Sequence, residues 1–229
     1  MLTVKNKYLR TALKFLIPFV LIPIVALLGS AVFDEKKHIF VSFFVAVLTL
    51  FLFFTGYEKK ETGTRKMVVV SVMLALSIVG RFIPFFKPVT AITVITAIYL
   101  GGESGFLVGS LSALLSNFYF GQGPWTAFQM LAWGLIGLFA GFLSKPLQKS
   151  RAALLVYGVL SGIAFSFIMD IWSVLWYSGG FNRSLYTAAL FTAIPHTVLY
   201  SVSNFIFLFF MAKPFGEKLS RVKIKYLYL

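Results

Sequence analysis

Residues 105–141, GFLVGSLSALLSNFYFGQGPWTAFQMLAWGLIGLFAG, decide the fold of this chain. The turn between the two apolar segments, NFYFGQGPWTAFQ at 117–129, carries no charge but holds five aromatic rings, two glutamines and an asparagine. A solvated loop would be rich in Lys, Glu, Ser and Asp. We therefore interpret this one as a surface that closes over a ligand, with rings for apolar area and amides for orientation. An aromatic belt at the membrane interface with a tight Gly-Pro turn is the alternative.

The composition is that of an integral membrane protein. The chain has 229 residues, of which 59% are apolar and 12% are charged, and its mean hydropathy is +0.89. Water-soluble domains are about 45–50% apolar and about 25% charged. The absence of cysteine excludes disulfides and thiolate chemistry. The net charge of +14 does not indicate nucleic acid, because the cations lie at the ends of apolar runs and report membrane orientation instead.

Apolar runs predict eight membrane segments, and the fold class is therefore all-α. Most of the runs reach the roughly 17–25 residues that a spanning helix requires. The fourth is short, so it and the fifth form either two short spans or a re-entrant hairpin. The segments are 13–33, 38–56, 66–84, 88–100, 104–120, 125–144, 151–177 and 186–212.

The positive charges predict that both termini are cytoplasmic. In that orientation sixteen of the 21 lysines and arginines lie inside, which agrees with the excess of cations that cytoplasmic loops carry. The protein is then a multi-pass protein of the cell membrane whose 117–129 turn faces outward. The five outer cations are Lys36, Lys37, Arg81, Lys87 and Arg183.

Three parts of the chain are distinguished by composition. Residues 1–57 form a phenylalanine-rich two-helix hairpin, 64–215 a six-segment core, and 216–229 a basic cytoplasmic tail. The polar run YEKKETGTRK at 57–66 separates the hairpin from the core. Glycine pairs at four-residue spacing predict close helix packing within the core. They are Gly105/Gly109, Gly137/Gly141 and Gly158/Gly162.

A few polar groups in or near the spans are candidates for ligand binding. Asp170 lies well inside a predicted span, where a carboxylate is costly, so it either serves function or forms a structural ion pair with Arg81, Lys87 or Arg183. His196 either bonds a ligand or is satisfied by a neighbouring helix. The loops 81–88, 117–129 and 176–183 are predicted to roof an outward cavity. The candidate binding residues are Arg81, Lys87, Asn117, Tyr119, Gln122, Trp125, Gln129, Asp170, Trp176, Tyr177, Asn182, Arg183 and His196.

No catalytic or metal-binding motif accompanies these groups. The sequence lacks H-E-x-x-H, paired glutamates, G-x-S-x-G and the phosphate loop G-x-x-x-x-G-K-[ST]. We therefore predict that the protein is not an enzyme and has no metal site. A membrane-embedded enzyme would have to rely on Asp170 and His196. Any process driven by ATP would need the nucleotide-binding motif on another chain.

Residues 64–215 resemble the substrate-binding S component of an energy-coupling factor (ECF) vitamin transporter. The resemblance rests on RKMVVVSVMLALSIVGRF at 65–82, on the short Pro-flanked span with its Gly-Glu turn, and on 105–141. Within the family, SNFYFGQGPWTAFQMLAWG at 116–134 is most similar to the cobalamin-specific type.

The resemblance implies a six-helix core, here with two extra N-terminal helices, that binds a vitamin at its outer face. The vitamin would be cobalamin or cobinamide, with the amides meeting the corrin rim and the outer cations meeting a phosphate. The protein would need no cofactor of its own, since a membrane scaffold T subunit and two cytoplasmic ATPase subunits would couple ATP to uptake. The positions that match the family's scaffold-docking motif are Ser71 and Ala75. The alternatives are an S component for another vitamin or a nucleobase-like micronutrient, and a structural scaffold resembling the rod-shape membrane proteins.

Overall fold

The structure, a computed structural model, describes residues 6–32, 38–55 and 60–222. These residues form helices and no strand. Five stretches of the described chain are long and apolar enough to cross a membrane, which confirms the predicted all-α membrane protein. They are Tyr8–Gly29, His38–Thr55, Trp125–Phe142, Arg151–Ser178 and Ile194–Val222.

The helices follow the predicted segments closely over most of the chain. The first segment is one run in which a π-helical turn, Ile17–Leu21, joins two α-helices. The others match segment by segment, with a short extra helix before the seventh. The helices are α1 (Lys7–Leu16), α2 (Ile22–Val32), α3 (His38–Thr55), α4 (Lys60–Gly80), α5 (Val89–Leu100), α6 (Gly102–Phe120), α7 (Trp125–Phe142), α8 (Ser144–Lys149), α9 (Arg151–Ser178), α10 (Arg183–Thr192) and α11 (Ile194–Val222).

The fourth segment is as short as predicted, whereas the predicted segment 186–212 differs from the helices observed. α5 is only 12 residues, about 18 Å long, too short to cross about 30 Å of hydrocarbon by itself. The predicted segment 186–212 is divided at Ala193, because Pro195 is compatible with the first turn of a helix but not with its interior. α11 also continues to Val222, so the first part of the predicted tail is helical, and 223–229 lie outside the described residues.

The predicted glycine packing is confirmed at the centre of the core. α6 and α7 meet backbone to backbone, because a Cβ atom added at Gly137 would lie 2.5 Å from the carbonyl carbon of Gly105. A Cβ at Gly162 of α9 would lie 2.7 Å from the backbone nitrogen of Ser201 in α11. Small residues let these helices approach more closely than larger side chains would permit. The two contacts hold the walls of the core in a fixed spacing.

The N-terminal hairpin is attached to the core. α3 packs against α6 and α7. Lys14 of α1 forms an ion pair of 2.5 Å with Glu103, the first-turn acid of α6. The ring of Phe15 stacks on that of Phe142 in α7, with centroids 6.1 Å apart. The predicted boundary near 57–64 is only partly described, since 56–59 lie outside the described residues and α4 begins at Lys60.

Candidate functional site

Arg81 is the centre of the candidate site. It follows α4 at a close turn, where a Cβ on Gly80 would lie 2.4 Å from the Cγ atom of Pro88. Only 7% of Arg81 is exposed. Its Nη1 donates hydrogen bonds to Ser116 Oγ and, at 2.8 Å, to Asn117 Oδ1. A buried guanidinium is therefore held against the last turn of α6 by charge-assisted bonds.

Aromatic rings complete the surroundings of this guanidinium. Its Cζ atom lies 5.0 Å from the ring centroid of Phe120 and 5.2 Å from that of Trp133, both within cation–π range. The Arg81 Nε atom is buried and has no hydrogen-bond partner among the described residues. Leaving such a donor unsatisfied costs about 1–3 kcal/mol, so an unpaired donor here calls for a functional explanation.

Side-chain amides extend the network from Arg81 into α7. The Nδ2 group of Asn117 donates to Gln129 Oε1 at 2.8 Å and to Thr126 Oγ1 at 2.9 Å. Because the Gln129 oxygen is engaged, its Nε2 group is the one left to donate to a ligand. Gln122 has a structural role. Its Nε2 donates to the carbonyl of Leu114 at 2.8 Å, and its Oε1 accepts from Thr126 Oγ1 at 3.0 Å. Gln122 thus ties the 117–129 turn to both α6 and α7.

Lys87 lies in the loop between α4 and α5, and Ser203 of α11 fixes that loop. The Lys87 backbone N–H donates to Ser203 Oγ at 3.0 Å, and the Ser203 hydroxyl donates to the Lys87 carbonyl at 3.2 Å. The Lys87 ammonium lies 5.6 Å from the ring centroid of Phe120. Partial burial lowers the pKa of Lys87 below its usual value, and the charge of Arg81 lowers it further.

These groups line a small enclosed cavity of about 30 Å³. Trp133 and Phe165 stack on one side of it with centroids 4.7 Å apart, and Tyr200 meets Phe165 edge-on at 5.2 Å. Polar and charged groups face the rings. The lining residues are Arg81, Lys87, Val89, Thr90, Gln129, Trp133, Gly162, Phe165, Tyr200 and Asn204. The arrangement suits a partly polar ligand that packs against this aromatic cluster.

The third predicted loop does not join this cavity. None of Asp170, Trp176, Tyr177, Asn182, Arg183 and His196 lines it. Trp176 packs edge-on against His38 at 5.0 Å, and Asn182 caps α10 by accepting from the backbone N–H of Leu185 at 3.1 Å. Tyr177 and Arg183 are exposed. The end of this loop forms the N-terminus of α10, which the sequence predicts as part of one segment with α11.

Asp170 and His196 both lie outside the lining of this cavity. Within the described residues Asp170 forms no ion pair with a cation, and its buried Oδ2 has no hydrogen-bond partner. His196 lies in the first turn of α11 and is exposed, because α11 begins at Ile194. Two further candidates serve aromatic packing: Tyr119 lies against Phe82 at 4.7 Å, and Trp125 against Trp172 at 5.9 Å.

Several lining residues were missed by the sequence analysis. Trp133, Phe165 and Tyr200 stand in apolar spans, where aromatic side chains are typical of ordinary packing. Asn204 carried a usable signal, since an amide within a span is costly unless it is bonded. Its Nδ2 donates to the Gly158 carbonyl at 3.0 Å, and the residue lines the cavity.

Comparison with known proteins identifies the family. No solved structure matches the chain. Residues 61–221, more than two thirds of the chain, match the family described as ECF-type riboflavin transporter, S component. The match supports the predicted S component and gives no support to the cobalamin-specific type. The chain belongs to the family of ECF-type riboflavin transporter S components.

Proposed function

We propose that this protein is the substrate-binding component of an ECF-type importer and that its ligand is riboflavin. The observation that carries the proposal is the buried, unpartnered Nε donor of Arg81 beside a cavity walled by Trp133, Phe165 and Tyr200. The ring system of a flavin is planar and apolar on its faces, with carbonyl oxygens on one edge. Its faces suit the aromatic walls, and its carbonyl oxygens suit the donors of Arg81 and Gln129.

The size of the cavity favours a flavin over a corrin. Sites for small ligands usually measure roughly 300–1,000 Å³, far more than the about 30 Å³ between these helices. Any ligand must therefore widen the site, and a flat ring needs less widening than the much larger corrin. The family match points to riboflavin as well. Cobalamin remains the competing ligand in the test below.

Coupling to ATP is proposed to occur on partner subunits. The chain has no phosphate-loop motif, so a T subunit and two ATPases would supply the energy. The proposed docking face is on α4, where Ser71 and Ala75 are exposed beside Val68, Val72 and Val79. Small residues in an exposed apolar stripe let a partner helix approach closely. The protein itself would bind and present the vitamin without chemical change.

Quenching of riboflavin fluorescence by the purified chain tests the ligand. Stacking near Trp133 and Tyr200 is expected to quench the flavin on saturable binding. Gln129→Met should weaken binding, and Gln148→Met, the same change at the other end of the bundle, should not. If calorimetry detects binding of cyanocobalamin and riboflavin fluorescence is not quenched, the ligand is cobalamin and not riboflavin. Absence of binding to either vitamin would refute both ligands.

A further inference from the structure

A second cavity, of about 540 Å³, opens at the end of the bundle opposite Arg81. α5 connects the two sites: Val89 at its start lines the first cavity, and Tyr99 near its end lines the second. The proposed function makes no use of this second cavity. Its charged lining residues are Lys149, Arg151, Lys213, Glu217 and Arg221, with a net charge of +3.

The cations around this cavity outnumber its one carboxylate. Lys213, Glu217 and Arg221 follow each other at four-residue spacing along one face of α11, so the single carboxylate has a cation one turn away on either side. Arg151 is fixed at the start of α9. Its Nη2 donates to the Phe209 carbonyl at 2.9 Å, and its Cζ lies 3.9 Å from the centroid of the Phe209 ring.

An apolar groove of about 340 Å³ adjoins the basic cavity. Its lining on α9 begins with Ala152, the residue after Arg151, and reaches Leu160, about 12 Å further along the helix. Phe209 joins the two spaces: it lines the basic cavity, and its ring stacks at 6.2 Å on Phe205, which lines the groove. The groove is formed by apolar residues only and is open to the outside, since Val156 is 58% exposed.

We propose that the basic cavity and this groove together bind one anionic phospholipid. The headgroup phosphate lies among Arg151, Lys213 and Arg221, and one acyl chain lies along the groove between α9 and α11. The positive-inside rule places this end at the cytoplasmic leaflet, where anionic lipids are attracted by basic residues near the membrane. A soluble phosphate would use the cations but not the groove. The continuity of charge and apolar surface therefore favours a lipid.

Native mass spectrometry of the full chain in neutral detergent tests the headgroup. The probes are phosphatidylglycerol and phosphatidylcholine with the same acyl chains. We expect retention of phosphatidylglycerol over phosphatidylcholine, and a loss of about fivefold for each cation removed in Lys213→Gln and Arg221→Gln. Lys145→Gln is the matched control, because Lys145 is exposed at the same end but does not line the cavity. Circular dichroism and gel filtration establish that each variant is folded.

The groove is tested separately with Val156→Trp, which fills it without changing charge. This variant should lose phosphatidylglycerol, whereas Ala164→Trp, at an exposed position of α9 outside the groove, should retain it. Equal retention of both lipids, or retention unaffected by the variants, would overturn the proposal. Displacement of the lipid by inorganic phosphate or ATP would identify a soluble-anion site instead. Displacement on adding the T and ATPase subunits would also overturn the proposal, since this face would then be a subunit interface.

Discussion

Replacing Arg81 by lysine is the most direct test of the candidate site. Lysine keeps the positive charge but has no Nε–H donor and cannot reproduce the planar fork of arginine. In the structure the fork bonds Ser116 and Asn117 through Nη1, while Nε remains free for a ligand. A hydrogen bond from a charged donor contributes about 1.5–3 kcal/mol. Its loss should raise the Kd for riboflavin by roughly 10- to 150-fold.

Titration of flavin fluorescence with purified Arg81→Lys measures this change. Thermal unfolding is recorded alongside, because Asn117 Oδ1 loses a well-placed donor and an unsatisfied buried acceptor costs about 1–3 kcal/mol of stability. Ser116→Ala separates the two effects. It removes a partner of Arg81 and should lower stability, yet it leaves Nε in place and should change Kd much less.

Arg183→Lys is the matched control, since Arg183 is exposed and does not line the cavity. Its Kd should equal that of the parent protein. A folded Arg81→Lys variant whose Kd stays within about threefold of the parent would refute the reasoning. The unpaired Nε would then be a packing feature and not a ligand donor.

Four further outcomes are expected. Gly137→Leu should prevent close packing of α6 on α7, because the added side chain would clash with the backbone of α6, and the single sharp peak in gel filtration should be lost. Ala75→Leu should abolish ATP-dependent uptake by the assembled transporter while riboflavin binding by the isolated chain persists; normal uptake would place the docking face elsewhere. Tyr119→Cys should react with an impermeant thiol reagent from outside the cell and Lys149→Cys only from inside, since the chain has no other cysteine. Lys87→Met should raise thermal stability at neutral pH, because the folded state disfavours the charged lysine. The gain should disappear as the pH rises from the lowered pKa of folded Lys87 to the pKa of the unfolded chain, above which Lys87 is neutral in both states; a gain that persists above that pH would contradict the argument.

The helices were predictable from sequence because apolar runs and their polar ends are local signals. The break at Ala193 was not, since α10 and α11 are both apolar enough to be counted as one segment. Pro195 was the available clue, because proline fits the first turn of a helix better than its interior. The placement of His196 depended on that break. The sequence predicts it within the single segment 186–212, and it stands in the first turn of α11.

The candidate site was predictable only in part, because sequence identifies unusual residues but not which loops meet. Asn117 and Gln129 stood out as amides in a membrane loop that lacks charge, and both belong to the Arg81 network. Gln122 has the same chemistry but bonds the Leu114 carbonyl and the Thr126 hydroxyl and does not line the cavity, a difference that composition does not reveal. Asp170 lies in α9, and which side chains face it depends on the packing of α9 against its neighbours.

The elements that line the cavity differ in how readily they can move to enlarge it. α7, which carries Gln129 and Trp133, touches α6 through the backbones of Gly105 and Gly137, so it cannot yield by a change of side-chain rotamer. The 81–88 loop is held to α11 by the two bonds of Ser203. It also contains Phe85 at a φ of +61°, a conformation that is strained for a bulky residue. Because the proposed vitamin needs far more than about 30 Å³, part of the wall has to move, and breaking the two Ser203 bonds would free the 81–88 loop to do so.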